Sequence, residues 1–203
     1  MLIEIKNLDG AVLHHGDFNN MKECVEDAVK EGISLRYANL RRVSLRYANL
    51  VGANLGHADL RNSDLNHADL RLAFLFSANL RYATLMETDL RSATLDLADL
   101  TYADLRSSDL SGANIRCAKL INTELSQCRG NGLDIISMQL RKYDVVYTSS
   151  HMQIGCETHL IEDWFKFDRD TINNMDVGAH GWWDEHKSFL QEVIKLNPAR
   201  EII

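Results

Sequence analysis

Between residues 45 and 60 the chain reads LRYANLVGANLGHADL, with leucine at 45, 50, 55 and 60 and alanine two places before each of the last three. A step of five suits neither regular element. On an α-helix it turns the side chain by roughly 140°, so the leucines would spiral around the rod, and in one continuous strand it reverses the face at every step. These leucines share an interior only if the chain turns after every five residues.

Followed outward, the pattern runs from Leu35 to Leu125 over nineteen positions, all leucine except Ile115. Residues two apart in a short extended piece share a face, so the position two before each leucine is expected to point inward as well. Seventeen of these nineteen positions hold Ala, Ser or Thr, the exceptions being Ile33 and Val43 at the start. Large beside small implies a narrow interior that fills without voids. In RLAFLFSANL, residues 71–80, the inward code is intact at Ala73 and Leu75, so Phe74 and Phe76 are expected to face outward and Leu72 to lie at the adjoining corner. Contiguous outward apolar side chains mark a candidate protein interface.

The segments YANL, GANL, HADL, SANL, LADL, YADL and SGANI resemble the pentapeptide-repeat family. The resemblance implies a mainly β fold, a right-handed quadrilateral β-helix or solenoid with four pentapeptides to a coil, continued in degraded phase through Gly130, Ile135 and Leu140. Residues twenty apart are then expected to stack. Leu97, on the coil after Ser77, joins Leu72, Phe74 and Phe76 as an interface candidate, and Arg41, Arg61 and Arg81 form a candidate basic stripe. Tyr82 and Tyr102 are likewise expected to stack as an ordinary cross-strand pair.

The flanks read differently. LIEIK, NLDG and AVLHH predict a hairpin, and Asn20 with Glu23 three residues on predicts the start of a helix that Gly32 stops. Residues 1–32 are therefore read as an α/β cap, 33–141 as the repeat region and 142–203 as a mostly α-helical domain. Within the last, DVVYTSS is expected to be a strand, THLIEDWFKF a short helix or turn, and DRDTINNM a helix begun by Asp168 or Asp170. A longer helix is expected from about Asp176 to Leu196, before Pro198. IGCETHLIEDW and the Trp182–Trp183 helix resemble the tails of phage or prophage pentapeptide-repeat proteins.

The chain of 203 residues is 45% hydrophobic and 25% charged, a globular composition. No run approaches 18 apolar residues and Glu4, Lys6, Asp9 and Asp17 interrupt the N-terminus, so a cytoplasmic protein with no membrane contact is expected. Net charge is −4 over residues 1–34, +2 over 35–141 and −5 over 142–203, giving −7 overall. That total argues against nucleic-acid binding, and aspartates before the leucines alternate with arginines after them. The pentapeptide-repeat proteins that resemble quinolone-resistance factors imply a DNA-mimic modulator of DNA gyrase. Such mimicry demands a continuous negative field, which the +2 of the repeat region does not supply.

Four scattered cysteines without a CxxC pair predict reduced thiols. Cys156 and His159, with His151, His180 and His186, are the weak candidates for a metal site or a Cys-dependent activity, and the expected state is no metal, no cofactor and no catalytic residue. The function expected is a non-enzymatic protein-interaction scaffold or effector, in its concrete form a phage or prophage protein binding or inhibiting a host protein. The alternatives are the gyrase-directed DNA mimic, a structural homodimer and chemistry in the C-terminal domain.

Overall fold

The computed structural model describes residues 1–131, 135–140, 142–155 and 157–199. In the repeats, the leucine carbonyl accepts from the amide three residues on, as in Ala38 N to Leu35 O at 3.1 Å and Ala78 N to Leu75 O at 2.9 Å. The residue two after each leucine takes a positive φ, from Tyr37 at 61° to Gln127 at 58°. This is the turn that needs a left-handed third residue. Only Gly52 and Gly112 meet that demand with glycine.

Four such turns bring the chain back beside itself after twenty residues. Asn39 bridges Asp59 in parallel, Asp59 bridges Asn79, and Phe74 bridges both Asn54 and Thr94. Leu55 N donates to Phe74 O at 2.8 Å and Phe74 N to Ala53 O at 2.9 Å, so the backbone of successive layers is satisfied layer to layer. Leu35 through Leu110 and Ile115 are buried at the centre together with the alanines two before them. Where that small position is polar, the hydroxyl finds a carbonyl: Ser63 Oγ donates to Leu60 O at 2.6 Å and Thr88 Oγ1 to Leu65 O at 2.9 Å. A buried hydroxyl without such a partner would be costly. Ile33, at the first small position, is exposed, and Val43 only packs against the core from the side.

This arrangement corrects the expected mainly β chain wound as a right-handed quadrilateral β-helix. Among the described residues no strand lies between Asp17 and Ile136, and the sheets that do form are one of two strands and one of four, small, open and separate. Neither curls or closes into a solenoid. The reason is the left-handed residue in every pentapeptide. It bends the chain after one bridging residue, so each repeat contributes a single bridge and a turn instead of a strand.

At the N-terminus β1 (Leu2–Lys6) pairs antiparallel with β2 (Val12–Asp17), and α1 (Met21–Lys30) follows. Asn20 caps α1 by accepting from Glu23 N at 2.9 Å. Ile3 and Ile5 of β1 and Cys24, Val25 and Ala28 of α1 join the leucine core. The first layer is met edge-on, with Asn7 bridging Ala38 antiparallel and Asn39 N donating to Lys6 O at 2.8 Å. An otherwise open edge is thereby paired.

After the repeats a sheet precedes the helices expected there. Residues 136–160 form a four-stranded antiparallel sheet of β3 (Ile136–Leu140), β4 (Tyr143–Tyr147), β5 (His151–Ile154) and β6 (Glu157–Leu160), in that order. The helices α2 (Ile161–Trp164), α3 (Arg169–Met175) and α4 (Ala179–Leu196) come afterwards. Asp168 caps α3, its carboxylate accepting from Thr171 N at 2.8 Å. Val145, Tyr147, Met152, Trp164, Trp182, Trp183 and Leu190 belong to a second core. Val146, on the opposite face of β4, packs into the leucine core instead. Buried Gln153 ties the two together: its Oε1 accepts from Leu125 N at 3.0 Å and its Nε2 donates to Glu124 Oε2 at 3.2 Å.

Candidate protein-binding face

Leu75 is fully buried, whereas Phe74 is 54% and Phe76 41% exposed. The rings leave the surface on either side of the inward leucine because successive residues of an extended piece point to opposite faces. Phe76 does not stand alone. Its ring meets the edge of His57 in the preceding layer, centroids 5.4 Å apart at 73°, and His57 stacks on Tyr37 at 4.8 Å and 10°. Phe74, Phe76, His57, Asn54, Gly56 and Arg36 line one recess of 380 Å³. A side chain on Gly56 would meet Asn54 Oδ1 at 3.6 Å and Arg36 Cγ at 3.7 Å, so glycine keeps the floor low. The recess can seat an apolar side chain between two rings, with a guanidinium beside it for an acceptor or carboxylate.

Leu72 and Leu97 are exposed but do not line the recess. Both occupy left-handed turn positions, with φ of 59°. Their amides donate to Arg91 O and Arg116 O, which places each at a corner of its own layer. The structure thus brings Phe74 and Phe76 together and leaves Leu72 and Leu97 as flanking apolar corners. Arg36 and Tyr37 were missed as members of this face. The signal available for them was the twenty-residue register of Tyr37, His57 and Ser77.

The surface around the face is charged and internally paired. Arg71 Nε donates to Asp69 Oδ1 at 2.8 Å and Nη2 to Oδ2 at 2.6 Å, while Arg71 N also donates to Oδ1 at 3.2 Å. Arg91 on Asp89 and Arg106 on Asp104 repeat this clip. Hydrogen bonds from Arg71 and Arg91 hold the Asp69 and Asp89 carboxyls below their ordinary range. Burial opposes the charged form of Asp59, yet the bonds from Arg61 and Arg41 outweigh it and its carboxyl also titrates low. Sequence DLR is the local signal for the clip, since the arginine two places on reaches back over the leucine.

The basic-stripe candidates sit in this network. Arg41 Nε lies 2.6 Å and Arg61 Nη2 2.8 Å from Asp59 Oδ2, and Arg81 Nη1 is 3.6 Å from Asp99 Oδ2. Tyr82 and Tyr102 stack at 5.0 Å and 3°.

Cys156 lies outside the described residues. His159 Nε2 is 3.4 Å from Glu157 Oε2, and its ring packs edge-on against Trp164 and Phe167. His151 pairs with Ser150 Oγ at 2.9 Å and His186 with Trp182 O at 2.8 Å, each through Nδ1. Among the described residues no group of three or more His, Cys, Asp or Glu is placed to hold a metal. Burial pushes the Cys128 thiol up to about 12, so it stays protonated and inert. No helix among the described residues is long and apolar enough to cross a membrane.

Residues 31–129 match the pentapeptide-repeat family model in eight overlapping copies. Among solved structures, the chain is similar to a pentapeptide-repeat protein of Nostoc PCC 7120, with 39% identity over 53% of this chain and 78% of that one and a TM-score of 0.28. It is also similar to Rfr23, a pentapeptide-repeat protein of the cyanobacterium Cyanothece 51142, with 32% identity over 47% of this chain and 61% of that one and a TM-score of 0.39. QnrB1, a plasmid-mediated fluoroquinolone resistance protein, shares 21% identity over 43% of this chain and 52% of its own, with a TM-score of 0.27. The chain thus spans less than two thirds of the length of Rfr23 and about half that of QnrB1. Among curated proteins none matches the chain.

Proposed function

The chain belongs to the pentapeptide-repeat family, matched over residues 31–129, and we propose from this premise that it is a non-catalytic module that binds a partner protein and modulates it. The observation that carries the reading is the Phe74–Phe76 recess. It is an apolar, ring-walled depression on a surface whose other charges are largely engaged by neighbours of opposite sign. Ring anchors in a desolvated pocket surrounded by polar groups are the usual energetic centre of a protein interface. The partner is expected to insert an apolar side chain there and to offer Arg36 an acceptor. In its narrower form this is a phage or prophage effector acting on a host protein, for which the support is the resemblance of the tail.

The test is affinity capture from the native host with the wild-type chain and with a Phe74→Asp, Phe76→Asp double variant whose fold is checked by circular dichroism. Loss of a specific partner from the folded variant supports the reading, and retention of every partner overturns it.

A second reading is the DNA-mimic modulator of gyrase or another DNA-binding enzyme, for which the support is a run of stacked aspartates. Asp69, Asp89 and Asp109 succeed one another through parallel bridges and form an acidic column. Arg71, Arg91 and Arg129 pair with that column and thin its field. A supercoiling assay with purified gyrase separates the readings: mimicry requires inhibition or protection that weakens when Asp69, Asp89 and Asp109 are changed to Asn. The Phe74 and Phe76 variant should not alter it.

A further inference from the structure

The stack of repeats ends with one side of its last layer unfinished. Within the stack a single bridging residue exchanges two backbone bonds with the layer before it: Asp99 N donates to Ala78 O, and Asp99 O accepts from Leu80 N. Lys119 does the same with Ala98 O and Leu100 N, so its own backbone is directed to the preceding layer. The groups directed to a following layer are then Ala118 O, Leu120 N and Asn122 N, and among the described residues none of the three has a partner. Gln139, twenty residues on from Lys119, pairs with Asp144 in the sheet instead.

The adjoining side shows what a following layer would supply. Leu125 N, the equivalent of Leu120 N, donates to Gln153 Oε1 at 3.0 Å, so a side chain of β5 stands where a bridging carbonyl stands elsewhere. Beside Leu120 no described residue replaces that carbonyl. Residues 118–123 line a groove of 720 Å³ between the last layer and Thr148, His151 and Leu160 of the sheet, and Ile121 is 61% exposed there.

An unpaired edge of this kind accepts an added extended chain, whose backbone makes the bonds and whose alternate side chains set the specificity. The register of the stack fixes those side chains. A small residue lies over Ala118, an aliphatic one over Leu120, and the bridging residue between them lies over Lys119. The Lys119 ammonium is 65% exposed and 3.8 Å from Asp99 of the layer before. The groove lining includes Lys119 and no aspartate or glutamate, so an acid is favoured at the bridging position. We propose that this edge binds an extended segment of a partner protein with the order small, acidic, aliphatic, continuing the stack by one step independently of the Phe74 recess.

The probe is a capped peptide of residues 97–102, LADLTY, added to the full-length ¹⁵N-labelled chain. The amide resonances of Leu120 and Asn122 are expected to shift to saturation, and those of Leu80 and Tyr82, already bonded within the stack, to stay in place. N-methylation of the peptide's aspartate removes the donor to Ala118 O and should weaken binding roughly three- to tenfold, the loss of one hydrogen bond. N-methylation of its second leucine, whose N–H is directed away from Lys119, should change binding little. Replacing the peptide's aspartate by lysine should weaken binding to the wild type, and Lys119→Glu should reverse that preference. The proposal is overturned if Leu120 and Asn122 show no saturable shift up to the solubility limit of the peptide, if the two N-methylated peptides bind alike, or if folded Lys119→Glu keeps the wild-type preference. It is overturned in favour of a second copy if both amides shift with chain concentration alone and the chain sediments as a dimer. The wild-type titrations with the N-methylated peptides stand by themselves should Lys119→Glu fail to fold.

Discussion

Truncating Leu75 to alanine tests whether the five-residue code or the phenylalanines beside it hold the repeats together. Leu75 is fully buried, its amide donates to Thr94 O at 2.7 Å, and its neighbours along the core axis are Leu55 and Leu95. Removing three carbons at about 0.8 kcal/mol each gives about 2.4 kcal/mol of lost transfer energy. The layers above and below are tied by backbone bonds and can collapse only partly, so a residual cavity brings the expected loss to about 3–5 kcal/mol. Phe74, with 54% of its surface already in water, should lose only about 1 kcal/mol on truncation to alanine. The assay is urea unfolding of the purified chain followed by far-ultraviolet circular dichroism, with the loss taken from the midpoint and slope. Tryptophan fluorescence recorded in parallel reports the second core, because Trp164, Trp182 and Trp183 all lie there. A loss below about 1 kcal/mol for Leu75→Ala, or an equal loss for Phe74→Ala, would refute the assignment of inward and outward roles.

Two further outcomes follow from the packing. Gln153→Leu removes both bonds that join β5 to the final repeats, leaving Leu125 N–H without its acceptor. A loss of about 1–3 kcal/mol is expected in the same urea assay, and a change within error would show that the join does not depend on this side chain. Asp59, Asp69, Asp89 and Asp104 all titrate below their ordinary range in the folded chain. Their stabilisation is therefore fully present above the unfolded carboxylate pKa of about 3.9 and is lost as pH falls through the lower folded values. Thermal unfolding from pH 7 down to pH 2 should show a falling melting temperature below about pH 4, shallower in an Asp69→Asn, Asp89→Asn variant; identical profiles would count against the clips.

The sequence by itself determined which side chains face inward from Leu35 to Ile115, because the rule there is local: each turn closes within one pentapeptide and the leucine and the small residue before it need no distant information. For the same reason it determined the outward pair Phe74 and Phe76 and the cap at Asn20, and it narrowed the cap of α3 to Asp168 or Asp170. The resemblance to the repeat family led correctly to the family but supplied a closed β-helix that the strand assignments do not bear out, since single bridges separated by left-handed residues never lengthen into strands. Residues 136–160 were legible only at DVVYTSS, as strands of four or five residues carry too little alternation and are fixed by their partners across the sheet. Only the tertiary structure decided that Phe76 rests on His57, which stacks on Tyr37, that Arg41 and Arg81 of the expected stripe reach aspartates of the next layer, and that one indole of three keeps a buried donor unpaired. Those features are contacts between residues distant along the chain, set by which layer or strand lies beside which, and no local period encodes them.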